Sequence, residues 1–426
     1  MASVEPKVIG SRQVFLRTAF YLLGGVLQKG AQLLLLPLLM AALTPEEFSR
    51  FGLMVSAVAI LAALLSLNAH LSPARLYFDY ERSHRAGELL LTCLLGAVGL
   101  AAVGLTVCVV VFRLASVTEP VSLGSLAIQL WVSLLVLAQV SGDFGLTWAR
   151  VRGKAVLFSA ASAVSGFGIL AAFVALGPWI EDGLLRCVLA MVAGKSVTAG
   201  ILLVTARKDL RGARFRVDML RRSLAYSWPM TVHGLALWAV MYSGQWIGSA
   251  YLPLEDLAPY VLVLQIAGAM MMVGRSWYEA RLPDIGRAFA AGQYRAGARI
   301  INRTMLASLA TVAGVYVALY LGLFVFGLSL PTGYAPTPLL VLLAATANLF
   351  DLFYYRGART LVALKKTGTQ AAATVTAGAV TIAASFLLVR SYGDLGLASG
   401  VVVGMAAQAV MSNVMAVVQL ARSKSS

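Results

Sequence analysis

Lys29, Asp143, Lys195 and Asp351 stand inside stretches otherwise too apolar to hold a charge. Placing such a side chain in hydrocarbon costs roughly 2.5–3.5 kcal/mol on insertion scales, so these residues should face a wet path or a partner. A buried ammonium can hold phosphate through charge-assisted hydrogen bonds. A buried carboxylate can take up a proton or a cation.

The best-defined pattern surrounds Lys29. Arg17, Tyr21, Gly24, Gln28 and Gln32 recur at helical spacing and share one face. Lys29 lies beside that face. A polar stripe in an apolar helix should line an aqueous cavity. The plainer reading has Arg17 snorkelling to the interface and Lys29 bonded to a neighbouring helix. A comparable stripe, Ser227, Thr231, Gly234, Trp238 and Gln245 with Tyr242 at its edge, recurs two hundred residues later, near Pro229. His233 lies on another face of that segment, as a structural group or a proton-coupling group.

The two acids have matching settings. Asp143 precedes Arg150. Asp351 precedes Arg356 and Arg359, with Asn348 one turn earlier. Each Asp is read either as a structural ion pair with those arginines or as an ion-coupling site. Arg186 and Lys195 share a helical face, Lys195 the deeper of the two.

These residues must be positioned by membrane helices. The chain has 426 residues, of which 60% are hydrophobic and only 12% charged, with mean hydropathy +0.83. Soluble proteins carry about 25% charged residues, so a soluble enzyme and a disordered chain are both excluded. A bilayer-spanning helix needs about 20 mostly apolar residues. Twelve such runs are predicted, at 15–41, 51–73, 89–112, 122–147, 155–178, 183–206, 224–249, 257–280, 303–329, 336–355, 369–389 and 395–420. The fold class is therefore an all-α polytopic membrane protein.

The formal net charge is +16, from 34 Lys and Arg against 18 Asp and Glu. With the N-terminus in the cytoplasm, 28 of the 34 fall on that side and only Arg50, Arg113 and Arg390 on the other. The positive-inside rule thus places both termini in the cytoplasm. The basicity reports orientation, and the basic run 207–222 is read as an anionic-lipid contact, not a nucleic-acid site.

An internal duplication links the halves. An offset of 209 carries Glu46 and Glu47 onto Glu255 and Asp256, Phe51 onto Tyr260, and Arg150 onto Arg359. The chain is divided into six-helix bundles at 1–206 and 223–426, joined by the basic linker 207–222. Two parallel halves about an axis along the membrane normal, with a site between them, is a transporter pattern. Cys93, Cys108 and Cys187 form no metal motif, His70, His84 and His233 are scattered, and no catalytic signature is present. No cofactor is expected beyond a coupling proton or sodium ion.

The run LLLLPLLMAALTPEEFSRFGL, through Pro37, Pro45, Glu46, Glu47, Phe48, Phe51 and Leu53, is followed by Arg75, Tyr77, Phe78 and Tyr80. Together these resemble the polysaccharide-transporter branch of the multidrug/oligosaccharidyl-lipid/polysaccharide exporter superfamily. Ser49 replaces that family's usual Gly, and Gly244-Gln245 replaces the Asp-Arg pair of many members. The resemblance implies two six-helix bundles around a central cavity that opens alternately to either side of a bacterial cytoplasmic membrane. The cargo it implies is an undecaprenyl-diphosphate oligosaccharide for surface polysaccharide. Arg17, Lys29, Arg75 and Arg275 are then candidates for the diphosphate, and Gln28, Gln32, Trp238 and Gln245 for the sugars. Asp143, Asp351, Asn348 and His233 are candidates for ion coupling.

A drug antiporter of the same superfamily would favour an acidic, aromatic cavity. A membrane glycan polymerase or ligase would need a large outer loop, and the loops are short. A passive scaffold would not need the polar stripe. Expected partners are the lipid-linked glycan, membrane lipids and other polysaccharide-assembly membrane proteins.

Overall fold

The computed structural model describes residues 11–81, 85–115, 126–364 and 366–425. The order is α1 (Ser11–Ala42), α2 (Pro45–Leu65), a 3-10 turn (Ala69–Leu71), α3 (Pro73–Glu81), α4 (Ala86–Ala115), α5 (Leu126–Val151), α6 (Ala155–Leu176), α7 (Gly183–Leu210), α8 (Val217–Tyr251), α9 (Ala258–Ala290), α10 (Tyr294–Phe324), α11 (Pro338–Ala363) and α12 (Thr367–Ser425). No strand occurs among the described residues. In a bilayer the backbone must satisfy its own hydrogen bonds, and helices do so within one segment.

Ten of these helices are long and apolar enough to cross a membrane. α8 falls outside that group because Ser227, Pro229, His233, Tyr242 and Gln245 dilute its apolar stretch, yet it is 35 residues long. α12 is two arms, since Gly393 interrupts it at φ 56° and ψ −131°, a conformation only glycine adopts readily. The twelve predicted spans correspond to α1, α2, α4 to α11 and the two arms of α12.

Local chemistry sets the ends. The Thr44 hydroxyl accepts from the Glu47 amide at 3.3 Å while the Glu47 carboxylate accepts from the Thr44 amide at 2.8 Å. This reciprocal cap, with Pro45 at the first helical position, starts α2 six residues earlier than the apolar run suggested. Its other end also differs from expectation. The predicted span to residue 73 stops at Leu65, because Leu67 and Asn68 take left-handed conformations at φ 50° and 49°. Of the two, only Asn is a residue type that takes this conformation readily, and the short α3 follows the break.

The repeat is visible in the helix ends. Adding 209 carries Ala42, the last residue of α1, to Tyr251, the last of α8, and Ala115 of α4 to Phe324 of α10. Packing follows the same relation. α1 lies on α6 as α8 lies on α12. Across the seam, α1 packs on α9 and α2 packs on α8. Glycines allow the closest approaches: a Cβ on Gly166 would come within 3.0 Å of the Gln28 backbone and of Ala31.

Glu46 and Glu47 in the first turn of α2, Asp182 capping α7, and Glu255 and Asp256 before α9 form an acidic face; the opposite ends form a basic face. Near the acidic face one buried apolar cluster spans both halves, including Leu39, Phe48, Phe51, Leu257, Tyr260 and Tyr334.

Candidate functional site

Lys29 reaches out of α1 into a cavity built mainly by the other half. About 690 Å³ of atom-free space is bounded by Met241 and Tyr242 of α8, Tyr260 to Met271 of α9, Leu340 to Asn348 of α11 and Ala398 to Met405 of α12. Most of this lining is aliphatic. Its polar groups are Lys29, Gln265, Asn348, Tyr242 and Tyr260, and Lys29 is the only charge among the described lining residues.

The ammonium is held in place. Lys29 Nζ donates to Gln32 Oε1 at 2.8 Å, one turn along the same helix. Among the described residues the charges that act on it are Lys195 and Arg275, both positive. An anion entering here would meet a cationic field with no lining carboxylate to repel it. Asn348 is 2% exposed and donates to the Ala267 carbonyl at 3.0 Å and to the Tyr316 hydroxyl at 2.8 Å.

Asp351 stands just behind this wall. The expected partners were Arg356 and Arg359; the partner is Arg275 of α9. Arg275 Nη2 and Nε bind the two oxygens of Asp351 at 3.0 and 3.2 Å, and the guanidinium lies 4.9 Å from the centre of the Tyr355 ring. Arg356 is instead held by Asn302 and Asn413, and Arg359 pairs with Glu279. α9 and α11 pack side by side, so a residue 76 positions away in sequence lies nearer than those on the same helix. Arg275 is thus committed to Asp351 and is absent from the cavity lining.

Two further clefts adjoin the cavity. One, of about 510 Å³, lies between α2 and α8 and shares Met241 and Tyr242 with it. Trp238 lines this cleft, its ring centre 6.3 Å from that of Tyr242, and its indole N–H donates to the Ser56 carbonyl at 2.9 Å. The other, of about 940 Å³, is almost wholly apolar. It runs between Leu33, Leu36, Pro37 and Met40 of α1 and the faces of α9 and α10, and shares Val263 with the Lys29 cavity.

The remaining candidates are placed as follows. Arg17 and Tyr21 belong to α1, but their side chains lie outside the described residues. The backbone of Gln28 abuts Gly166, and Gly24 abuts Ser159, so that edge of the stripe packs on α6. Lys29, which was read as lying beside the stripe, is the residue that opens on the cavity. Arg75 is exposed on α3, away from the cavity lining. Gln245 is 1% exposed, against Gly52 at the α2–α8 seam, and its amide nitrogen has no partner. Ser227 and Thr231 are fully buried, with Thr231 accepting from Asn68 at 3.5 Å. Ser227, Thr231 and Gln245 of the α8 stripe are therefore buried in packing, while Gly234, Trp238 and Tyr242 reach the cleft between α2 and α8. The Nδ1 of His233 is buried without a partner. Both Asp143 oxygens accept from Gln139 at 2.8 Å, and Arg150 lies over the Phe158 ring at 5.1 Å. Asp143 also acts on Lys195 and His70. Arg186 stacks on Phe173 at 4.2 Å.

Sequence reasoning missed Gln265 and Tyr260 in the lining. Gln265 had a signal, a lone amide in the run VLVLQIAGAM; Tyr260 was read only as a mark of the repeat.

Tyr334 closes the acidic-face side. Its hydroxyl donates to the Leu43 carbonyl at 2.7 Å, and Phe48 meets its ring edge-on at 5.3 Å. Burial pushes the Tyr334 phenol up to about 12, so it stays a donor across the physiological range.

Residues 16–288 match the family model described as polysaccharide biosynthesis protein. The fold is similar to that of the eukaryotic MATE transporter AtDTX14, with TM-score 0.68 and 12% identity over 97% of this chain and 98% of that one. It is also similar to an inward-facing multidrug resistance MATE family transporter of the MOP superfamily (0.65, 13%, 96% of each chain). A third similar structure is a MOP superfamily transporter from Pyrococcus furiosus (0.62, 14%, 99% of this chain and 100% of that one). No curated protein matches the chain in sequence.

Proposed function

From the premise that this chain belongs to the polysaccharide biosynthesis protein family, a branch of the MOP superfamily of membrane transporters, we propose that it carries a lipid-linked oligosaccharide across the bacterial cytoplasmic membrane. The observation that carries this reading is the lone cation, Lys29, in a cavity whose described lining holds no carboxylate. A diphosphate would be held at Lys29 by charge-assisted hydrogen bonds. Sugar rings suit the Trp238–Tyr242 wall, where an aromatic face can stack, and the Gln265 amide of the adjoining cavity suits hydroxyls. The prenyl tail suits the apolar cleft of α1, α9 and α10, which adjoins the cavity at Val263. Moving such a head through hydrocarbon strips its water at a high cost, and alternating access between two bundles provides a polar path. The two bundles are assigned as 1–206 and 223–426, with both termini and the basic face in the cytoplasm.

The second reading, a drug antiporter, draws on the MATE neighbours. A cationic drug would favour a negative site, and the acid nearest the cavity, Asp351, is already paired with Arg275. The structure from Pyrococcus furiosus is itself described as having a binding pocket of reverse polarity that suggests a different function. The test is Lys29→Ala in a host lacking its own copy. Surface polysaccharide should fall while lipid-linked repeat units accumulate and the protein stays in the membrane; normal export would remove Lys29 from the site.

A further inference from the structure

On the flank of the second half, away from the Lys29 cavity, Arg356 faces a separate groove between α10, α11 and the second arm of α12. We propose that this groove is a binding site for the phosphate diester of an anionic phospholipid. Its space is about 300 Å³, lined by Ala298, Asn302, Arg356, Thr360, Asn413 and Val417 among others. The guanidinium is fixed by two neutral acceptors, Nε to Asn302 Oδ1 at 2.7 Å and Nη1 to Asn413 Oδ1 at 2.8 Å. Asn413 is itself anchored, donating to the Phe353 carbonyl at 2.8 Å. Arg356 therefore keeps its full charge, and both N–H groups on Nη2 have no acceptor among the described residues.

Among the described residues no carboxylate bonds it. Neither α10 nor the second arm of α12 beyond Asp394 contains an acid, and the single acid of α11, Asp351, is bound to Arg275. Arg295, Arg299 and Arg303 stand at intervals of four along the exposed face of α10 beside Asn302. Arg356 is seven residues from the inner end of α11, about 10 Å along the axis, which suits headgroup depth.

The surface leading from the groove suits acyl chains. Val410, Val414 and Val417 recur on one face of α12 and are each more than half exposed, as is Leu306 of α10. A fixed, uncompensated guanidinium at headgroup depth, continuous with an apolar strip, is chemistry for a phospholipid and not for a soluble ion. Basic pockets between helices on the inner side are a known general setting for anionic lipid heads.

The test is native mass spectrometry of the full-length protein titrated with phosphatidylglycerol, phosphatidylethanolamine or inorganic phosphate. One tightly held phosphatidylglycerol per chain is expected, with phosphatidylethanolamine at least tenfold weaker. Arg356→Gln should weaken phosphatidylglycerol by about tenfold or more. Ala298→Phe, which fills the groove and leaves the arginine intact, should do the same and decides the matter if Arg356→Gln fails to fold. Lys29→Ala should leave this binding unchanged. Unchanged affinity in both groove variants, loss of binding in Lys29→Ala, or inorganic phosphate binding as tightly as the lipid would each overturn the proposal.

Discussion

Arg275 of α9 binds both carboxylate oxygens of Asp351 on α11, and that pair decides the polarity of the neighbouring cavity. Asp351 is buried, one helical turn beyond Asn348 in the cavity wall. With its charge matched by Arg275, the net charge on the lining is that of Lys29. An unpaired Asp351 would set a negative charge just behind that wall and offset the charge of Lys29.

Asp351→Asn should therefore destabilise the protein by roughly 3 kcal/mol, the low end for a broken buried pair because Arg275 keeps some exposure. The double variant Asp351→Asn/Arg275→Gln should recover part of that loss. Thermal unfolding in detergent measures both; equal stability of the two variants would show that the charges are not coupled.

At Lys29 the sign of the charge should matter more than the shape of the side chain. Lys29→Arg should keep much of the export, Lys29→Ala should lose about ten- to hundredfold, and Lys29→Glu should abolish it. Quantified surface polysaccharide, at matched membrane protein levels, checks the order. A Lys29→Glu protein that exports as well as Lys29→Arg would contradict an anionic cargo.

Much of this architecture was legible in the residues, and some was not. The apolar runs and the Thr44-Pro-Glu-Glu cap mark helices directly, because bilayer thickness and orphan amides leave few alternatives. Lys29 was legible because a lone ammonium in an apolar helix demands a reason. The Arg275–Asp351 pair was not, since only tertiary packing brings α9 against α11. The setting of Gln245 was hidden for the same reason: its spacing puts it on the polar face of α8, and tertiary packing sets it against Gly52 of α2. The left-handed turn at Leu67 and Asn68 has one local cue, since Asn tolerates that conformation, but the apolar run on either side outweighs it in the sequence.

The close approach of α1 to α6 should be what holds Lys29 in register. Gly166→Val would push a side chain into the Gln28 backbone. It should cost about 1–3 kcal/mol by overpacking and lower export along with stability. Gly99→Val, on a glycine whose Cβ would meet nothing, is the control and should unfold like the wild type.

Tyr334→Phe removes the hydrogen bond to Leu43 that ties the two halves at the acidic face. A loss of about 1 kcal/mol should shift the balance toward opening at that face by about fivefold. Spin labels on the acidic-face ends of α1 and α11 would report it by electron–electron distance measurement. An unchanged distance distribution would show that this contact does not hold the gate.

The most direct test of the central claim is mass spectrometry of the lipid that copurifies with the protein from a host assembling its own surface polysaccharide. The account predicts a prenyl-diphosphate oligosaccharide enriched with the wild type and reduced at least tenfold with Lys29→Ala. A wild-type protein that retains no glycolipid, or retains it equally after Lys29→Ala, would contradict it.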